Sequence, residues 1–291
     1  MQNTDNNIKN NEETDDLDEL DEINEIKKEV SETTGGKGGL AEFREVTRRV
    51  FSISADAASH EEIRARIVSG GQVTGTNMVV MVCAILIASA GLNTNSTAVI
   101  IGAMLISPLM GSILAIAYGT SAADYKMVRK HLTGFIFQII FSLLTSTLYF
   151  WLSPIKATTS ELAARTSPTV FDIVIASAGG IAGIIGQTRQ EKANNIVPGV
   201  AIATALMPPL CTCGYSIANA KWNMLAGAAY LFLINCYFIY LSACIVLSLL
   251  EIPKVTKLTE AEWRRMRFRM VRNSILIALP TILVAIHMKN W

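Results

Sequence analysis

The chain has 291 residues, 51% of them hydrophobic and 17% charged, with a mean hydropathy of +0.38. That is too apolar and too weakly charged for an ordinary soluble protein, and it points to the membrane. The net charge of +1 says little, because it averages an acidic head with a basic tail.

Residues 1–34 hold twelve Asp and Glu against three Lys, a composition that cannot bury enough apolar surface to fold alone. This head is expected to be disordered. Leu17, Leu20, Ile23, Ile26 and Val30 recur at spacings of three and four, so the alternatives are a solvated tail and a short amphipathic helix formed on a soluble partner. The head lacks the basic start and long apolar core of a signal peptide. Gly35-Gly36-Lys37-Gly38-Gly39 is a flexible joint that closes a first segment at 1–39.

From 40 to 75 the pattern turns helical. Phe43, Val46, Val50 and Phe51 share a face away from Arg44, Arg48 and Arg49. Ser59-x-x-Glu62 then reads as a capping box that opens a second short helix with Ile63, Ile67 and Val68 inward. Such helices lie along a membrane surface or pack on a neighbouring subunit.

Between Thr76 and Asp124 there is no Asp, Glu, Lys or Arg, which leaves room for two spans of about 20 residues each. Spans are expected near 76–92, 96–119, 131–153, 170–187, 196–218, 223–249 and 273–288. The cysteines 83, 211, 213, 236 and 244 all fall within apolar runs, where they read as small hydrophobes and neither as disulfides nor as a metal site. Residues 259–272 set Trp263, Met266, Phe268 and Met270 among five arginines. Within a basic segment at 250–272, they read as a surface helix on anionic lipid. The basic residues gather at Lys126, Arg129 and Lys130, at Arg189 and Lys192, and from Lys254 to Arg272. The positive-inside rule therefore favours a multi-pass protein of the cytoplasmic membrane with its N-terminus in the cytoplasm and its C-terminus outside.

An internal repeat organises these spans. Ile87-Ala88-Ser89-Ala90-Gly91 recurs as Ile175-Ala176-Ser177-Ala178-Gly179, 88 positions later. Each copy is followed by a Pro-Leu-centred apolar run, at Pro108-Leu109 and at Pro208-Pro209-Leu210. Pro108 pairs with Pro208 or Pro209, at 100 or 101 positions, and only the larger offset also matches Leu105 with Leu206 and Leu109 with Leu210. Three spans per copy is an odd number, so 76–153 and 170–249 are expected to form an inverted pair, with 273–291 as a seventh span. The fold expected is an all-α polytopic membrane bundle whose second and fifth spans are broken by proline. Inverted repeats around discontinuous helices place binding sites near the midplane.

Proline removes an N–H, so Pro108 is expected to free the carbonyl of Met104, and Pro208 and Pro209 those of Thr204 and Ala205. In lipid such carbonyls need a hydroxyl, a water or a cation. The candidate binding residues are therefore Gly102, Met104, Ser107, Pro108, Thr204, Ala205, Pro208, Pro209 and Thr212, with Ser89 and Ser177 either facing the site or bonded within their helices. Ser216 and the glycines 111, 199 and 214 lie close by. Ala84, Ala88 and Gly91, like Ala176, Gly180 and Gly183, line up for close helix approach. Asp172 reads as a helix-start residue, and Gln138 and Asn235 as links between helices. No acidic residue lies deep in a span, so a moved species would meet backbone and hydroxyl oxygens, which suits a small cation or neutral solute. Half-helix N-termini would instead suit an anion.

At these residues the chain resembles the prokaryotic membrane family known as domain of unknown function 389. The likeness rests on Ile87 to Gly91, Val99 to Gly111, Ala176 to Gly180, Pro198 to Ala203 and Pro208 to Leu210. It covers roughly 75–250 and implies a multi-span membrane protein of bacteria or archaea, without an established activity. The family often carries a second proline after the first Pro-Leu; here Gly111-Ser112 follows.

Two functions fit: a transporter or channel for a small ion or solute, or a scaffold or sensor that recruits a soluble partner through its acidic head. No His-Glu-x-x-His, Gly-x-Ser-x-Gly, paired intramembrane carboxylates or phosphate loop is present, so no enzyme, cofactor or metal is expected. The partners expected are the bilayer and its anionic lipid, the small ion or solute, and no nucleic acid. A homo-oligomer stays open.

Overall fold

The chain divides into two units, Met1–Ala55 and Asp56–Trp291. The computed structural model describes residues 57–189 and 196–256 and most positions between 262 and 279; at 196–205 it describes backbone alone. The expected acidic head, the joint, the first amphipathic helix and the far part of the seventh span lie outside the described residues.

Among the described residues the architecture is all-helical, apart from an isolated bridge between Ala57 and Arg189. Helix α1 (His60–Gly70) starts where Ser59 Oγ accepts the N–H of Glu62 at 3.3 Å, and it buries Ile63 and Ile67. It packs on a neighbouring helix through Leu114, Ala115 and Tyr118. Then come α2 (Gly75–Asn93), α3 (Thr97–Leu105), α4 (Leu109–Ser121) and α5 (Tyr125–Leu152). The short α6 (Ser160–Ala164), which the sequence reading did not anticipate, precedes α7 (Val170–Thr188), α8 (Ile196–Ala218) and α9 (Trp222–Leu249).

Polar residues set most of these starts. Thr74 caps α2, Asp124 caps α5 through the Met127 N–H at 3.0 Å, and Thr159 caps α6. Thr169 and Asp172 form a capping box on α7, which is the helix-start role expected of Asp172. Because Asp124 caps it, α5 begins at Tyr125, six residues before the span expected at 131. Its first two turns carry the basic residues and stay helical beyond the apolar part. Tight left-handed turns follow α2, α4, α8 and α9, with φ of 57°, 53°, 52° and 51° at Asn95, Ala123, Ala220 and Glu251.

Residue pairs give the helix directions. Met81, Ser89 and Asn93 of α2 meet Ser142, Ser146 and Ser153 in the same order, so α2 and α5 run parallel. Ser146 meets Cys211, and Phe150 meets Tyr215, so α8 runs with them. Against these three runs α4, whose Gly119 lies beside Val128 and whose Ser112 reaches Gln138. The loop ahead of α7 meets Gly227 at Thr166, and Gly180 meets Ile239, so α7 and α9 are parallel to each other.

Helix α8 is the centre. It touches α2, α3, α4, α5, α7 and α9, and residues 206–216 are buried without interruption. A helix apolar and buried on every side belongs in the middle of a bundle. Helix α3 is the opposite, with Val99, Ile101 and Leu105 exposed on its outer side.

Candidate functional site

The first Pro-Leu segment breaks as expected. Helices α3 and α4 are bent by 48° across Ile106, Ser107 and Pro108. The second does not: Pro208 and Pro209 lie inside the continuous helix Ile196–Ala218. Its enclosure supplies the reason, since neighbours on all sides hold a proline-bearing stretch in register where an exposed one would open. Thr212 adds a local tie, its hydroxyl donating to the Pro208 carbonyl at 2.9 Å.

The freed carbonyl of Met104 also turns out differently. It accepts the N–H of Ser107 at 3.2 Å, a tighter turn that replaces the bond lost to proline. Ser107 Oγ in turn accepts the Leu109 N–H at 3.5 Å. Ser107 and Pro108 are half-buried, Gly102 is exposed with open space where a side chain would stand, and Met104 is buried. Met104 and Leu109 share one core cluster with Leu206, Met207 and Leu210, so the two Pro-Leu segments do pack together. The side chains of Thr204 and Ala205 lie outside the described residues. Ser177 donates to Ile173 O at 2.7 Å within α7, and Ser216 to Thr212 O at 2.8 Å within α8.

Ser89 takes the less expected course and leaves its helix. Its Oγ donates to Ser146 Oγ at 3.2 Å, and Ser146 Oγ donates to the Cys211 carbonyl at 2.9 Å. This contact belongs to a larger feature. On α5, His131, Phe135, Gln138, Ser142, Ser146 and Phe150 are all buried. They are spaced by three or four, one helical face, and Ser153 continues it at the cap. His131 Nδ1 donates to Gly71 O at 2.9 Å. Gln138 Oε1 accepts from Ser112 Oγ at 2.8 Å, and Ser142 Oγ donates to Met81 Sδ at 3.5 Å. Ser153 Oγ accepts from Asn93 Nδ2 at 2.6 Å. A stripe of polar groups thus runs along α5, met by α2, α4 and α8 in turn.

Gly214 lets α8 come close enough: a Cβ there would strike the Ser146 side chain and stand 2.9 Å from the Thr147 nitrogen. Beyond the stripe, the Tyr215 hydroxyl donates to Lys156 O and accepts from Lys221 Nζ, both at 2.8 Å. Of the stripe, the sequence reading singled out only Gln138, as a link between helices, and Ser89. Ser142, Ser146 and His131 were missed, although polar residues at 131, 138, 142, 146 and 153 already lie at helical spacing. Chemically the stripe offers hydroxyl, amide, imidazole and thioether groups without a buried acid. Each contact named is closed, so a solute passing here would have to exchange these hydrogen bonds one by one.

These elements define an all-helical protein with several helices long and apolar enough to cross a membrane. They are Gly75–Asn93, Tyr125–Leu152, Val170–Thr188 and Trp222–Leu249, with the bent pair of α3 and α4 as a fifth. Residues 104–241 match the model of the family described as domain of unknown function (DUF389), the family that the paired motifs resemble. Over 172 residues the chain is 32% identical to an uncharacterized protein of Methanocaldococcus jannaschii, an alignment covering 59% of this chain. It covers 53% of that relative, so the chain matches about half of the relative's length. No solved structure matches.

Proposed function

We propose that this chain is a transporter or channel for a small ion or small neutral solute in the cell membrane, and not an enzyme. The observation that carries the reading is the buried polar stripe of α5, wedged between the bent α3–α4 pair and the proline-bearing α8. Polar groups are costly in a membrane interior and are kept there for a path or for packing. The stripe meets α2, α4 and α8 in turn and not one helix pair alone, an arrangement suited to a path between them.

The inverted repeat belongs to the same reading. The elements α2, α3–α4 and α5 correspond to α7, α8 and α9, and each member of a pair runs opposite to its partner. Helices α5 and α9 both have 28 residues. Helix α8 packs on α5 as α4 packs on α9, the cross-packing that a two-fold arrangement calls for. A seventh crossing is supported by the segment after α9. Tyr237 donates to Met270 O at 2.8 Å and Tyr230 to Ile277 O at 2.7 Å, so this segment runs back along α9. The distribution of Lys and Arg supports a cytoplasmic N-terminus.

In this reading the bend at Pro108 and the prolines of α8 are where the two halves rearrange, and the α5 hydroxyls hold the solute between. The test is tracer flux and current across proteoliposomes over a panel of small cations, anions and neutral solutes. The Pro108→Ala/Pro209→Ala protein and a Ser146→Val protein would run beside the parent. Flux in the parent that falls in both variants is expected. Silence in a well-folded parent, or flux that survives both changes, sinks the proposal.

A further inference from the structure

A groove of about 410 Å³ opens on the outside of the bundle between α2 and α5, lined by Val73, Met78, Val79, Val82, Cys83, Phe137 and Phe141. Its size falls in the small-ligand range of roughly 300–1,000 Å³, and its lining is wholly apolar. Val79, Phe137 and Phe141 are exposed. Such a surface takes hydrocarbon, and the residues around it say which kind.

At 100° per residue, Lys126, Lys130, Phe137 and Phe141 fall within an arc of about 60° on α5. Both lysines are exposed, and among the described residues neither has a hydrogen-bond or ion-pair partner. Trp151, exposed at the other end of α5, lies 21 residues beyond Lys130. That is about 31 Å of helix, close to the hydrocarbon thickness of about 30 Å. Trp222 is likewise exposed at the start of α9, on the Trp151 end of the bundle. Indole rings favour the boundary of a bilayer. This places Phe137 and Phe141 within the hydrocarbon and Lys130 at headgroup level, with Lys126 one turn further out.

We infer that the groove holds an acyl chain of an anionic phospholipid whose phosphate is bound by Lys130 and Lys126. The site lies on another face of α5 from the polar stripe, and it stands apart from any transport activity. Apolar walls alone would take any lipid; the two exposed lysines select for negative charge.

The test is lipid retention by the full chain, read by native mass spectrometry after reconstitution with phosphatidylglycerol or phosphatidylcholine of identical acyl chains. The parent should retain phosphatidylglycerol by roughly thirtyfold over phosphatidylcholine, the scale expected of two basic groups at about 1 kcal/mol each. Lys126→Gln/Lys130→Gln should bring the two lipids level, and Val79→Trp should lower retention of both. Equal retention by the parent overturns the inference without any variant. So does a preference that survives the lysine change. A Val79→Trp protein that keeps its lipid but loses an oligomeric contact would assign the groove to a second copy instead, and would also overturn it.

Discussion

The two proline segments share a motif and pack together, yet they differ in backbone course and in burial. Pro108 stands at a 48° break next to a half-exposed helix, whereas Pro208 and Pro209 stand in an unbroken helix buried on all sides. Their positions differ as well. Pro108 lies 16 residues before Asp124, at the end of the turn after α4, and Pro208 lies 13 residues before Lys221, at the end of the like turn after α8. Counted from these turns, the second proline pair sits about one helical turn nearer to its helix end. Proline permits a break, while the surroundings decide whether one forms.

The contrast breaks most readily at the glycines. Gly214 lies against Ser146, so Gly214→Val should destabilise the protein by about 3 kcal/mol through overpacking. Gly102 has open space beside it, so Gly102→Ala should instead stabilise α3 by roughly 0.5–1 kcal/mol, the ordinary helix preference. Thermal unfolding in detergent reads both, and a loss at Gly102 as large as that at Gly214 would erase the distinction between the two segments.

Shape is the next test. Without Pro108 the bend has no covalent cause, and straightening 48° across helices of 9 and 13 residues lengthens the pair by about 3 Å. Spin labels at Val99 and Thr120 should move apart by that amount in Pro108→Ala. In Pro209→Ala, labels spanning α8 should not move. Ser146→Ala removes the bonds to Ser89 and to Cys211 O and should cost about 1 kcal/mol of unfolding free energy, read as a lowered midpoint. At the small end, Arg64 pairs with Asp124 at 3.4 Å with its side chain 53% exposed. Arg64→Ala should therefore cost no more than a few tenths of a kcal/mol.

The long helices could be read from the sequence because twenty apolar residues in a row leave few alternatives. The observed bounds of α2, α7, α8 and α9 fall within one residue of the expected spans. The start of α5 could not be read that way. Hydropathy marks where a helix leaves hydrocarbon, and Asp124 to Lys130 is charged surface that remains helical because of its cap. The α5 stripe was hidden for a different reason: Ser and Gln scattered in an apolar run show their common face only when placed on a helix. The fate of α8 had no local signal at all, since it depends on six neighbouring helices.

Helix α1 carries a mechanical consequence. Near its start, Ala58 N–H donates to Thr188 O at 2.8 Å, at the end of α7. At its far end, the Gly70–Gly71 backbone is seated against Gly111 of α4, and Gly71 O accepts from His131 of α5. Eleven residues of helix therefore form a strut of about 16 Å pinned to α7 at one end and to α4 and α5 at the other. While α1 stays folded and its end contacts hold, the end of α7 and the first turn of α4 can swing about this strut but cannot draw apart. Any rearrangement of the bundle must keep that one distance fixed, release an end contact or melt the helix that sets it.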